Sequence, residues 1–190
     1  MSHFQDKAYL VTGASSGIGL ATTRALLAQG ARVAAVGLPD RLLDDAKRQL
    51  SGAVLFIEAD VSESLQVDSA FAQAEAELGP LSGVFNAAGI SRVAPIAETS
   101  DELWQRLIQV NLSGTFHFAR AAARKLTSNG GGSLVCTASE LSLVGQAGYT
   151  AYTATKGGVL SMIRSLAAEL APAGVPELVK VNEASVSLGG

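Results

Sequence analysis

Tyr152 and Lys156 stand four residues apart in YTATK, a spacing that puts both side chains on one face of a helix. A phenol with a pKa near ~10 is a poor acid–base group at neutral pH. A neighbouring ammonium favours the phenolate and lowers that pKa. The pair therefore suits proton transfer to a developing alkoxide. Standing alone, it equally describes a tyrosine and a lysine on an exposed helix face.

The second candidate is TGASSGIG, residues 12–19. Gly13 to Gly17 fit G-x-S-x-G, the turn that presents a nucleophilic serine, here Ser15. Gly13, Gly17 and Gly19 also fit a glycine-rich loop that holds a dinucleotide phosphate at a helix start. The hydrolase reading needs an acid and then a histidine downstream. The chain has two histidines, His3 and His117. His117, flanked by Phe116 and Phe118 in a helical pattern, reads as a partly buried packing residue. The hydrolase turn also ordinarily follows several strands, whereas this loop follows the first. The phosphate loop is the better reading, because the helix N-terminus offers free N–H groups and the positive end of its dipole.

Other chemistries find little support. The histidines are too few and too far apart for a zinc site, and no metal ligand set is predicted. The single cysteine, Cys136, excludes an internal disulfide. It lies in the apolar run SLVCTA and reads as a buried structural thiol.

These groups must be positioned by the elements around them. Short apolar runs alternate with longer helical patterns. The predicted strands are 8–12, 32–37, 53–60, 81–89 and 132–139. Helical patterns cover 17–30, 40–50, 62–79, one stretch from Asp101 to about Leu126, and one from about Gly148 to Leu170. Nearly continuous apolar strands indicate a sheet covered on both faces. Their alternation with helices indicates parallel pairing through right-handed crossovers. The expected fold is α/β, a Rossmann-like doubly wound parallel sheet in three αβα layers. A further short strand is expected around Leu178 to Val181. Gly30 reads as a helix C-cap. Arg120, Arg124 and Lys125 read as a solvated helix face.

The 190 residues, 48% hydrophobic and 16% charged, support one domain, residues 1–190, with an atypical tail over 172–190. A net charge of −3 with no basic block argues against a nucleic-acid partner. The start lacks a signal-peptide pattern, and no apolar stretch would span a bilayer. A soluble cytoplasmic protein without a membrane partner is expected.

The ordered motifs resemble the short-chain dehydrogenase/reductase family. TGASSGIG matches that family's TGxxxGxG after the first strand. Asp60-Val61 closes the third strand. Asn86-Ala87-Ala88-Gly89 resembles NNAG after the fourth. Asn111 in QVNLSG matches the family's helix asparagine, and Ser139 lies 13 residues before Tyr152. The match covers about residues 7–171.

The resemblance implies hydride transfer between a nicotinamide cofactor and a ketone or secondary alcohol. By carry-over, Tyr152 gives or takes the proton, and Lys156 lowers its pKa and holds the nicotinamide ribose. Ser139 hydrogen-bonds the substrate oxygen, and Asn111 holds a water that links Lys156 to solvent. The implied cofactor contacts are Gly13, Ser15, Ser16, Gly17, Ile18, Gly19, Asp60, Val61, Asn86, Ala87, Ala88 and Gly89, with Tyr152 and Lys156. An acid that ends the second strand usually binds the ribose. That position is Gly37 here; Asp40 either reaches the ribose or caps the next helix, and Arg41 could reach a phosphate. With no clear phosphate-binding cation, NAD is preferred to NADP.

The end departs from the family. VKVNEASVSLGG keeps Val181-Asn182 but no Pro-Gly, and the usual C-terminal strand and substrate loop are missing. The chain is expected to be a fragment, ahead of a degenerate member or a short form covered by another subunit. Part of the sheet face is expected to be bare. An alternative function follows: a dinucleotide-binding or assembly protein with little or no turnover. A homo-oligomer, dimer or tetramer, is expected through the helices over 101–126 and 148–170. Their small residues Ala121-Ala122-Ala123 and Gly157-Gly158 would permit close packing. The apolar stretch LSLVGQAGY, with Gln146, suggests a mostly apolar pocket for a small-molecule carbonyl or alcohol.

Overall fold

In a computed structural model, the described residues are 2–175 and the backbone of 177–180. Six strands form one parallel sheet: β1 (Ala8–Thr12), β2 (Arg32–Gly37), β3 (Val54–Glu58), β4 (Leu81–Asn86), β5 (Ser133–Thr137) and β6 (Glu177–Lys180). Their order is β3-β2-β1-β4-β5-β6. Each neighbouring pair runs parallel, with Val11 opposite Ala35 and Phe85, for example. The connecting helices are α1 (Gly17–Ala28), α2 (Arg41–Gln49), α3 (Ser64–Leu78), α4 (Asp101–Leu107), α5 (Gly114–Ser128) and α6 (Thr150–Leu170).

Alternation along the strands builds two cores from one sheet. Leu10, Ala34, Val84 and Leu134 face a cluster that includes Phe71 of α3, Phe118 of α5 and Ile163 of α6. Their neighbours Val11, Val33, Ala35 and Phe85 face the other side, where Ile18, Leu26 and Leu27 of α1 pack. This is the doubly wound sheet that the apolar runs predict. β6 forms one residue earlier than expected, and Val181 lies outside the described residues. Beside α1, a groove of about 510 Å³ remains over Tyr9, Phe85 and Val135. Among the described residues, this stretch of sheet face is open.

Three sequence expectations need correction. The stretch 101–126 is not one α-helix: α4 and α5 are joined by a π-helical segment, Ile108–Ser113. The Thr115 hydroxyl donates to the Asn111 carbonyl at 2.6 Å, serving an oxygen within the widened turn. Arg120 and Lys125 are not simply solvated. Arg120 donates to Ser64 Oγ at 2.7 Å, and Lys125 pairs with Glu75 at 2.6 Å, so both tie α5 to α3. Of the small residues expected at an oligomer face, Ala121 and Ala122 are buried within the chain. A Cβ at Gly158 would meet Leu112 Cδ1 at 3.0 Å, so that glycine also serves internal packing.

Candidate functional site

Strand order reverses at β1 and β4: the chain winds from β1 towards β3, then returns to β4 on the other side. A crevice opens where the carboxyl ends of two such strands part. Here it is a cleft of about 300 Å³, and its lining includes the loop after β1, the segment after β4, and Asp60-Val61 after β3.

The glycines of TGASSGIG have separate duties. A Cβ on Gly13 (φ +61°) would sit 2.8 Å from the Ala87 and Ala88 backbone. One on Gly19 would lie 2.2 Å from the Gly13 carbonyl oxygen, so α1 seats directly on the loop. Gly17 (φ +51°) has nothing within 4 Å of its Cβ position. Ser16 precedes α1 and its hydroxyl makes no capping bond, and no acidic residue occupies the first turn. An open, unscreened helix N-terminus facing the cleft fits a diphosphate group.

Gly13, Ser15, Ser16, Gly17, Ile18, Asp60, Val61, Ala87, Ala88 and Gly89 all line this cleft. Gly19 and Asn86 do not. Gly19 is buried behind the loop. Asn86 is 3% exposed, its side chain accepting from the Thr12 hydroxyl and donating to Thr115 Oγ1 at 2.9 Å. Both are buried behind the lining and support the wall. Asp40 is the helix cap: its carboxylate accepts the Leu43 N–H at 3.1 Å. Leu38 and Leu42 give the cleft an apolar wall near it.

The YTATK residues lie at the start of α6. Ser139 ends the segment after β5, is 6% exposed, and caps a 3-10 turn by accepting from Leu141 N at 3.2 Å. Lys156 is 5% exposed; its Nζ donates to the Thr137 carbonyl at 2.8 Å and lies 5.9 Å from the Tyr152 ring centre. A Cβ on Gly89 would lie 3.3 Å from Asn111 Oδ1 and 3.6 Å from Lys156 Nζ. The end of the NAAG segment therefore joins the cleft to Asn111 and Lys156. Asn111 is fully buried. Its Oδ1 accepts the Ile90 N–H at 2.8 Å, and its Nδ2 donates to the Ile90 carbonyl at 2.9 Å and to Thr155 Oγ1 at 3.2 Å.

The electrostatics differ from the sequence expectation. Burial raises the Tyr152 pKa, and hydrogen bonding by Ser139 offsets only part of this. The Lys156 ammonium is turned to the Thr137 carbonyl. Burial instead pulls Lys156 itself down, to about 8. At Asp60, burial pushes the carboxyl up, but the Ser62 hydroxyl and N–H with the nearby Arg106 charge outweigh it and lower the pKa.

Sequence reasoning missed Thr12, Thr115 and Thr155, which join β1, β4, α5 and α6 beneath the site. It missed Arg106 too, which lines the cleft beside Asp60. No local spacing marks these links: Asn86 lies 74 residues from Thr12 and 29 from Thr115, Asn111 lies 44 from Thr155, and Ser62 lies 44 from Arg106. His117 behaves as expected, half-buried with Nδ1 3.2 Å from the Val61 carbonyl. Cys136 is buried. Among the described residues no cluster of metal-ligating side chains occurs, and no helix is long and apolar enough to cross a membrane.

Comparison with known proteins agrees with this geometry. The chain is 38% identical over 172 residues to D-threitol dehydrogenase of Mycolicibacterium smegmatis, covering 89% of this chain and 66% of that one. It is 39% identical over 168 residues to galactitol 2-dehydrogenase (L-tagatose-forming) of Cereibacter sphaeroides, covering 87% and 66%. It is 34% identical over 178 residues to 3-hydroxyacyl-CoA dehydrogenase type-2 of Homo sapiens, covering 87% and 68%. The chain thus spans about two thirds of the length of these relatives. The crystal structure of a short chain dehydrogenase from Mycobacterium smegmatis superimposes with a TM-score of 0.87 at 31% identity, over 94% of this chain and 77% of that one. The sequence pattern described as short chain dehydrogenase matches residues 7–187. With glycine loop, parallel sheet and tyrosine–lysine helix in that family's order, the chain belongs to the short-chain dehydrogenases.

Proposed function

We propose that this chain is an NAD(P)-dependent oxidoreductase acting on a ketone or secondary alcohol, with Tyr152 as its acid–base group. The observation that carries the reading is the approach of Gly89, which lines the cleft beside the glycine loop, to Asn111 and Lys156. A bound nicotinamide supplies or accepts the hydride. The remaining work falls to the chain. Tyr152 is protonated at neutral pH, given its raised pKa, and so is ready to donate to the oxygen of a carbonyl being reduced. Ser139 hydrogen-bonds that oxygen. Lys156 holds the nicotinamide ribose and favours the phenolate as the proton leaves. Asn111 has its side chain engaged by Ile90 and Thr155, so it serves this path by fixing the loop after β4 against α6.

NAD is the preferred cofactor. Neither Gly37 nor the capping Asp40 offers a cation to a ribose phosphate, and Arg41 lies outside the cleft lining, 3.8 Å from Asp45. The relatives' dehydrogenase names support an alcohol or carbonyl substrate, and we assign the protein to the cytoplasm. We assign a homo-oligomer through the outer faces of α5 and α6, supported by the exposed Phe116.

A second reading, a dinucleotide-binding or assembly protein with little turnover, is favoured by the groove that the described residues leave open over Tyr9, Phe85 and Val135. One experiment separates the two. NADH and NADPH are titrated by calorimetry, and a panel of secondary alcohols is then screened for nicotinamide reduction. Binding with turnover, and a kcat reduced about 10²- to 10⁴-fold in Tyr152→Phe with NADH still bound, supports the enzyme. Binding without turnover supports the second reading. A folded chain that binds neither cofactor refutes the enzyme and the dinucleotide-binding reading alike.

A further inference from the structure

Arg106 lines the far part of the cleft, on the side of Asp60 and Val61 rather than that of Lys156. It is the only cation among the described residues that line this cleft. It stands on the last turn of α4, four residues before Val110, which lines the same cleft and is 6% exposed. Both residues therefore face the same cleft. Val61 and the exposed Leu38 and Leu42 line the same cleft, so apolar side chains form much of its wall.

The guanidinium is directed but not locked. Its Nη2 lies 3.7 Å from Asp60 Oδ2, and its Nη1 lies 3.5 Å from Ser62 Oγ. Asp60 Oδ1 is the committed oxygen, accepting the Ser62 N–H at 2.8 Å and the Ser62 hydroxyl at 2.6 Å. The Arg106 side chain keeps 47% of its surface exposed. A planar cation with half its surface free, beside an apolar slot, is suited to stack on a flat aromatic ring.

We propose that Arg106 closes over the purine of the cofactor, stacking its guanidinium on the ring face while Asp60 holds it in orientation. This inference rests on the reading of the cleft as a dinucleotide site. It assigns Arg106 to binding of the adenosine half, with no part in proton or hydride transfer. Arginine is suited to the task where lysine is not, because a compact ammonium presents no plane to the ring.

The test is calorimetric titration with ADP-ribose, which carries the purine and diphosphate without the nicotinamide. Wild type, Arg106→Ala and Arg106→Lys are compared, with thermal unfolding as the check on folding. Arg106→Ala is expected to weaken ADP-ribose about five- to thirtyfold, the range of a partly desolvated cation–aromatic contact. Arg106→Lys is expected to recover less than half of that loss, and it carries the test if the alanine variant does not fold. ADP-ribose bound equally by all three proteins would overturn the inference and leave the dinucleotide site standing. Full recovery by lysine would overturn it as well, because charge beside Asp60 would then suffice. A wild type that fails to bind ADP-ribose would remove the dinucleotide reading itself.

Discussion

Lys156→Met is expected to stabilise the protein near neutral pH and to lose that advantage as pH rises. Lys156 is 5% exposed, and among the described residues it has no carboxylate salt-bridge partner. Burial lowers its pKa from 10.5 to about 8. Each pKa unit corresponds to about 1.4 kcal/mol, so carrying this lysine at pH 7 costs the native state about 3 kcal/mol relative to an ordinary lysine. Between the two pKa values the unfolded chain binds more protons than the folded one. Wild-type stability therefore climbs with pH across that window and is flat, for this group, below it. Methionine has no proton to lose. The variant also forfeits the bond to the Thr137 carbonyl, an offset that changes little with pH. The difference in unfolding free energy, variant minus wild type, is thus expected to fall by about 2 kcal/mol from pH 7 to about pH 9.5. Urea unfolding followed by circular dichroism at both pH values measures it, and titrations shared by both proteins cancel. A difference independent of pH would refute the reasoning, because Lys156 would then titrate as an ordinary lysine.

Other substitutions probe the scaffold. Gly19→Ala places a Cβ 2.2 Å from the Gly13 carbonyl oxygen, a backbone atom that cannot swing aside. It should lower stability by about 1–3 kcal/mol and NADH affinity at least about tenfold, read by thermal unfolding and calorimetry. Asp40→Ala removes the cap on Leu43 N and should cost about 1 kcal/mol in urea unfolding, while Asp40→Asn should retain most of it. At Glu75, burial raises the pKa but bonds from Lys125 and Asn129 outweigh it, leaving the pKa below 4.5. Its stabilising contribution is present above 4.5 and is lost as pH falls through the lowered value. Glu75→Gln should therefore flatten the acid limb of the stability curve, seen as a smaller loss of melting temperature on acidification.

Much of the fold was legible because its signals are local. β1 and β2 match their apolar runs residue for residue, and the other strands differ only at their ends. The glycine spacing of residues 13–19 and the four-residue step from Tyr152 to Lys156 mark the two ends of the site, since a turn and one helix face each lie within a few residues. The order of the motifs along the chain did the rest, because a parallel sheet wound through right-handed crossovers leaves few ways to arrange them.

What the linear chain could not display depends on distant partners and on burial. The π-helical turn at Asn111 reflects a hydroxyl donated by Thr115 and side-chain bonds to Ile90, 21 residues away. Asn86 reads as a ligand contact by its motif, yet the tertiary structure surrounds it with Thr12 and Thr115 and makes it part of the wall. The helical step brings Tyr152 and Lys156 to one face, but their proton affinities follow from desolvation. A pKa is set by how much water and which charges surround a group in three dimensions. Sequence spacing therefore determined which residues could meet, and only packing decided which atoms each one faces.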